Sequence, residues 1–119
     1  MEHLRFVGLE EQAARPDGSL PIAGRKRLEI ARALATRPAL LLLDEVIAGL
    51  TPTEGGLLMD LIGRIRSGGV TILLDEQNVR HALEISRRAY VLETGRIVLE
   101  GAAQDLIRHD HVRSAYLGL

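Results

Sequence analysis

Apolar residues follow two kinds of pattern along this chain. Ala39-Leu40-Leu41-Leu42-Leu43 and Val70-Thr71-Ile72-Leu73-Leu74 are short runs without polar alternation, and each stops at an acidic pair, Asp44-Glu45 and Asp75-Glu76. Runs of this kind suit strands of a parallel sheet buried on both faces, which puts the acids at the strands' carboxyl ends. Between them the period becomes helical, with Leu57, Leu58, Leu61, Ile62 and Ile65 forming one stripe. Thr51-Pro52 opens that helix, Thr as cap and Pro in the first turn, and Gly68-Gly69 ends it. Ahead of the first run, residues 25–36 read as a helix with Leu28, Ala31, Leu34 and Ala35 on one face, stopped by Arg37-Pro38. Arg15-Pro16-Asp17-Gly18-Ser19 is a loop by its Pro and Gly. Leu4, Phe6, Val7 and Leu9 around Gly8 read as the end of a helix that has no cap before it, and so as the continuation of something upstream.

Beyond the second run, Val79, Ala82 and Leu83 mark another helix. Tyr90-Val91-Leu92 and Ile97-Val98-Leu99 then flank Glu93-Thr94-Gly95-Arg96, a hairpin signal in which Gly can supply the positive φ of a tight turn. Two short helices close the chain. The order β-α-β-α followed by a hairpin predicts the α/β class: a partial parallel sheet with flanking helices and a C-terminal β-hairpin, taken as one domain over residues 1–119.

Charge changes this picture little. With 15 Lys plus Arg against 16 Asp plus Glu, no strong field points to nucleic acid as a partner. The absence of Cys excludes disulfides and thiolate metal sites and suits a reducing, cytoplasmic compartment. The longest apolar run, at 39–43, falls far short of the roughly 20 residues that span a bilayer, so any membrane role is expected to be peripheral.

In open α/β sheets ligands bind beyond the carboxyl ends of the strands, where Asp44, Glu45, Asp75 and Glu76 should collect. An aliphatic strand ending in Asp-Glu fits nucleotide hydrolysis, in which the Asp helps hold Mg²⁺ and the Glu polarises attacking water. Read alone, the same pattern fits equally well an acidic, solvated loop after a buried strand. His109-Asp110-His111 could ligate a metal, although surface polarity in a short terminal helix accounts for it better. Arg25-Lys26-Arg27 reads as the solvated face of an amphipathic helix.

The wider context of the first strand is more specific. Leu28-Glu29-Ile30-Ala31-Arg32-Ala33-Leu34-Ala35-Thr36-Arg37-Pro38 followed by Leu41-Leu42-Leu43-Asp44-Glu45 resembles the segment from signature helix to Walker B of ABC-transporter ATPases. Ala48-Gly49-Leu50-Thr51-Pro52-Thr53-Glu54 is similar to the D-loop region as written in branched-chain amino acid importers. Glu76-Gln77-Asn78, the run from Arg88 through Val98, and Ala115-Tyr116-Leu117-Gly118 resemble the C-terminus of the same subunits. The chain is thereby identified as a relative of the C-terminal part of an ABC-type P-loop nucleoside triphosphatase.

The resemblance implies ATP and Mg²⁺ as cofactors, a second ATP-binding subunit and membrane subunits as partners, and a place at the inner face of the plasma membrane. It gives Asp44 the Walker B role near Mg²⁺ and Glu45 that of general base beside the γ-phosphate. Gln77 takes the switch position, which is His in most of the family; Gln donates a hydrogen bond but carries no charge. Leu20-Pro21-Ile22-Ala23-Gly24 falls where the signature loop LSGGQ belongs, the loop that completes the partner's nucleotide site, and Ile22 and Ala23 stand in place of its glycines. Val46 replaces the usual Pro, Thr51 the D-loop acid or amide, and Asp75 an apolar residue. The motif GxxxxGK[ST], whose backbone amides and Lys hold the β- and γ-phosphates, is absent from these 119 residues, so the chain is expected not to hydrolyse ATP alone. Two rival expectations remain: a non-catalytic module pairing with a complete ATPase or membrane subunit, and an acidic metal site of another phosphoryl-transfer enzyme.

Overall fold

The computed structural model describes residues 1–119, which fold as two units, Met1–Asp75 and Glu76–Leu119. In the first, helix α1 (Glu2–Phe6) and two 3₁₀ turns (Glu10–Gln12, Asp17–Ser19) lead into α2 (Ile22–Leu34). Strand β1 (Leu40–Asp44), helix α3 (Pro52–Ser67) and strand β2 (Thr71–Asp75) follow. β1 and β2 pair in parallel with Leu40 opposite Thr71 and Asp44 opposite Asp75, the short crossover that α3 makes possible.

α3 starts as its sequence dictates. The Thr51 hydroxyl accepts from the Glu54 N–H at 3.2 Å, and the Glu54 carboxylate accepts from the Thr51 N–H at 3.0 Å, closing a capping box with Pro52 in the first turn. Its buried stripe is Leu58, Met59, Leu61, Ile62 and Ile65, whereas Leu57, expected in the stripe, is 53% exposed. Each such side chain removed from water contributes about 1.5–3 kcal/mol. Val7, Leu9, Leu20, Ile30, Ala31, Leu41 and Leu43 complete the buried apolar set of this unit, and the Arg64 guanidinium lies over the Phe6 ring at 4.6 Å.

Two expectations are corrected here. α2 begins at Ile22 and not at residue 25, because Pro21 serves as its N-cap, and it buries Ile30 with Ala31 while Leu28 and Leu34 are only half-buried and Ala35 is exposed. The sheet is not buried on both faces: Leu41 and Leu43 are buried, but Leu40, Leu42 and Leu73 are 52%, 65% and 60% exposed. Helices of this unit cover one face of β1 and leave the aliphatics of the other bare.

In the second unit, α4 (Val79–Ile85) precedes the antiparallel pair β3 (Arg88–Glu93) and β4 (Arg96–Ala102), followed by α5 (Ala103–Leu106) and α6 (Asp110–Tyr116). Thr94 and Gly95 both take positive φ, 50° and 76°, which is the requirement of a type I′ hairpin turn. Leu83, Ala103, Leu106 and Val112 form the core, with Val79, Val91 and Leu99 packed against it. No helix of either unit is long and apolar enough to cross a membrane.

Candidate functional site

Because β1 and β2 run parallel and in register, their carboxyl ends coincide and bring Asp44 and Asp75 together. The Asp75 carboxyl hydrogen-bonds that of Asp44, which, with partial desolvation and the negative charge of Asp44 and Glu45, raises its pKa above the ordinary aspartate value. Two carboxylates held this close repel each other, and a divalent cation beside them would relieve that repulsion. No group of three or more His, Cys, Asp or Glu is arranged to hold a metal ion. The Asp44 and Asp75 carboxylates alone are compatible with Mg²⁺ as it usually binds, through one or two carboxylates with the remaining oxygens supplied by phosphate and water.

Glu45 sits directly beyond Asp44 with φ at +50°, the left-handed region. For a residue with a Cβ this conformation costs roughly 1–2 kcal/mol. Its N–H donates to the Asp75 carbonyl at 2.8 Å, extending the ladder one residue past the strand, and its carbonyl accepts from Lys26 Nζ at 3.2 Å and from the Ala48 N–H at 3.3 Å. The turn that follows reaches Gly49 at φ +79° and ends on the Thr51 cap. Thr51, which departs from the D-loop pattern, is thus the N-cap of α3.

Leu20-Pro21-Ile22-Ala23-Gly24 is only in part the loop that was expected. Leu20 is buried, Pro21 caps α2, and Ile22, Ala23 and Gly24 form the first turn of the helix, with Ile22 54% exposed. No side chain caps this end, and intrahelical bonding begins with the Arg25 N–H to the Pro21 carbonyl at 2.9 Å, so the first-turn amides lack helical acceptors. A Cβ on Gly24 would stand 3.3 Å from the Leu20 Cβ, a close approach that favours glycine there.

The basic run beside this turn is not simply a solvated face. Arg25 donates to the carbonyls of Leu20 and Gly18, each at 3.0 Å, Lys26 to that of Glu45, and Arg27 to that of Val7 at 2.9 Å. Sequence reasoning missed this, since cations three in a row on a helix carry no signal of the distant carbonyls they reach.

Gln77 belongs to the second unit, on the turn between β2 and α4. There Glu76 Oε1 accepts from the Gln77 N–H at 3.2 Å and the Asn78 N–H at 3.4 Å, while Asn78 caps α4 through the His81 N–H. His109 and His111 do not form a ligand pair: His109 Nδ1 caps α6 and His111 Nε2 bonds Glu93 at 2.7 Å. Asp44, Glu45, Asp75 and the first turn of α2 thus lie within one unit, linked through Lys26, and Gln77 in the other.

No protein-family profile matches the chain. It is similar to the high-affinity branched-chain amino acid transport ATP-binding protein BraG of Pseudomonas aeruginosa, 42% identical over 113 residues that make up 95% of this chain and 48% of that protein. It is also similar to the lipopolysaccharide export system ATP-binding protein LptB of Escherichia coli, 37% identical over 84% of this chain and 42% of that protein. Among solved structures, MJ1267, an ATP-binding cassette of an ABC transporter in its ADP conformation, superposes with a TM-score of 0.85 at 28% identity, over 99% of this chain and 48% of that one. The chain spans about half the length of the relatives it matches. In sequence and in fold alike, the chain is similar to about half of an ABC-transporter ATP-binding cassette.

Proposed function

We propose that the chain supplies the Walker B strand, signature turn and switch segment of an ATP-binding cassette that energises branched-chain amino acid uptake from the inner face of the plasma membrane. The observation that carries the reading is Asp44-Glu45 at the carboxyl end of β1, registered against Asp75 of the parallel β2. Asp44 would help hold Mg²⁺, which would supply neutralisation of the charge on the transferring phosphoryl group. Glu45 accepts the proton of attacking water. The first-turn amides of α2, which have no helical acceptors, offer donors to the γ-phosphate held by a second ATP-binding subunit. Gln77 stands at the switch position, where it offers a hydrogen-bond donor to a γ-phosphate without adding charge. Membrane subunits convert the cycle into transport. Branched-chain amino acids are preferred as cargo because BraG is matched over 95% of this chain and LptB over 84%.

The phosphate cradle is not among these 119 residues, so the chain alone is expected to turn over ATP no faster than buffer. Mg²⁺-dependent turnover that Glu45→Gln abolishes would contradict this. A second reading, a module that pairs with a complete ATPase subunit and modulates it without hydrolysis, is favoured by the bare Leu40, Leu42 and Leu73. Titrating the chain into a complete homologous subunit separates the two. A change in that subunit's rate that survives Glu45→Gln supports modulation, one that Glu45→Gln removes supports catalysis, and no change denies both.

A further inference from the structure

Glu45 occupies a conformation that its own side chain disfavours, and within the turn its carbonyl accepts from the Ala48 N–H at 3.3 Å. Two contacts reach its peptide groups from other elements: the Asp75 carbonyl takes its N–H at 2.8 Å, and Lys26 Nζ donates to its carbonyl at 3.2 Å. The first extends the β1/β2 ladder and comes with the fold. The second is a single ammonium brought across a separation of 19 residues from α2, two positions beyond the signature turn. Lys26 is half-buried, and its charge is directed at a backbone acceptor rather than left in solvent. Its neighbours bind elsewhere, Arg25 to the carbonyls of Gly18 and Leu20 and Arg27 to that of Val7, so neither duplicates its contact.

We propose that Lys26 is a positioning residue for Glu45. Its ammonium fixes the left-handed Glu45 turn and ties that turn to the first turn of α2, so that displacement of either is felt by the other. Hydrogen bonds in which one partner is ionised are stronger than neutral ones and hold direction better than a solvated charge would. The inference rests on the reading of Glu45 as the base only for its functional meaning; the contact itself is tested without nucleotide.

Hydrogen exchange followed by mass spectrometry, with fragmentation that resolves the Glu45 amide, tests this on the full chain. Lys26→Met keeps the stem and removes the ammonium. It is expected to speed exchange at Glu45 by roughly tenfold while leaving the α3 core amides around Ile62 unchanged, and Lys26→Arg is expected to restore the slow rate. Unaltered exchange at Glu45 in Lys26→Met overturns the proposal. So does an equal acceleration in α3, which marks general loosening, and so does failure of Lys26→Arg to restore protection. Because no ATP is present, these outcomes are independent of the turnover experiments that test Glu45 as a base.

Discussion

Two carboxylates in this chain are perturbed in opposite directions. Glu93 accepts from the Tyr116 hydroxyl and from His111 Nε2, and these hydrogen bonds, Tyr116 first, hold its pKa below the ordinary glutamate value. A depressed folded pKa contributes stability that is present above the unfolded value and is lost as pH falls through the folded one. Asp75 has the reverse sign. Its raised pKa favours the protonated fold, so its contribution is full below the ordinary aspartate value and is lost as pH climbs through the raised one. Melting temperature followed against pH should therefore lose its acid-side decline in part with Glu93→Gln, which can still accept from Tyr116 but no longer titrates. Asp75→Asn should instead remove a decline on the rising side. Equal profiles for the wild type and Glu93→Gln would mean that the Tyr116–Glu93–His111 contact does not hold α6 to the hairpin in solution. The acids themselves were legible in the sequence. That Asp44 and Asp75 meet at the strands' carboxyl ends was legible as well, because both apolar runs stop at an acidic pair, whereas their direct carboxyl contact depends on the exact register.

At the scale of elements, legibility followed how local the cause is. The start of α3 was readable because Thr51, Pro52 and Glu54 settle it among themselves, and the type I′ turn because Gly95 permits it. The start of α2 was misplaced because Pro21 was weighed as part of a loop motif when it acts as a cap. Leu57 and Met59 exchanged places because a stripe of helical period fixes a face only to within about one position, and which neighbour is covered depends on packing partners distant in sequence. The capping box gives a quantitative check. Thr51→Ala removes the acceptor for the Glu54 N–H at an exposed helix start and is expected to cost about 1 kcal/mol in urea denaturation, while Thr51→Ser should cost little. A loss as large from Thr51→Ser as from Thr51→Ala would show that the γ-methyl, and not the hydroxyl, is what matters.

For the molecule as a whole, the consequential feature is what the sheet leaves uncovered. The unalternated runs at 39–43 and 70–74 are written for burial on two sides, yet this chain covers one, and Leu40, Leu42 and Leu73 face solvent. β1 and β2 form a two-stranded sheet, so each keeps an outer edge without a strand partner. An edge of unpaired N–H and C=O groups beside aliphatics, without Lys or Pro in 71–74, is a template for another chain, and Asp75 is the only guard at its end. Bare aliphatics on the adjoining face add an apolar patch of the kind that drives association. The 119-residue chain is accordingly expected to self-associate, with light scattering that grows with concentration, unless a partner covers this sheet. Leu42→Lys and Leu73→Lys together should suppress that scattering without unfolding α3, because both side chains point away from the buried set. A monodisperse wild-type monomer in which the amides of 70–74 are strongly protected from exchange would overturn the expectation, since protection on the free edge requires a strand partner that the parallel pair alone does not provide.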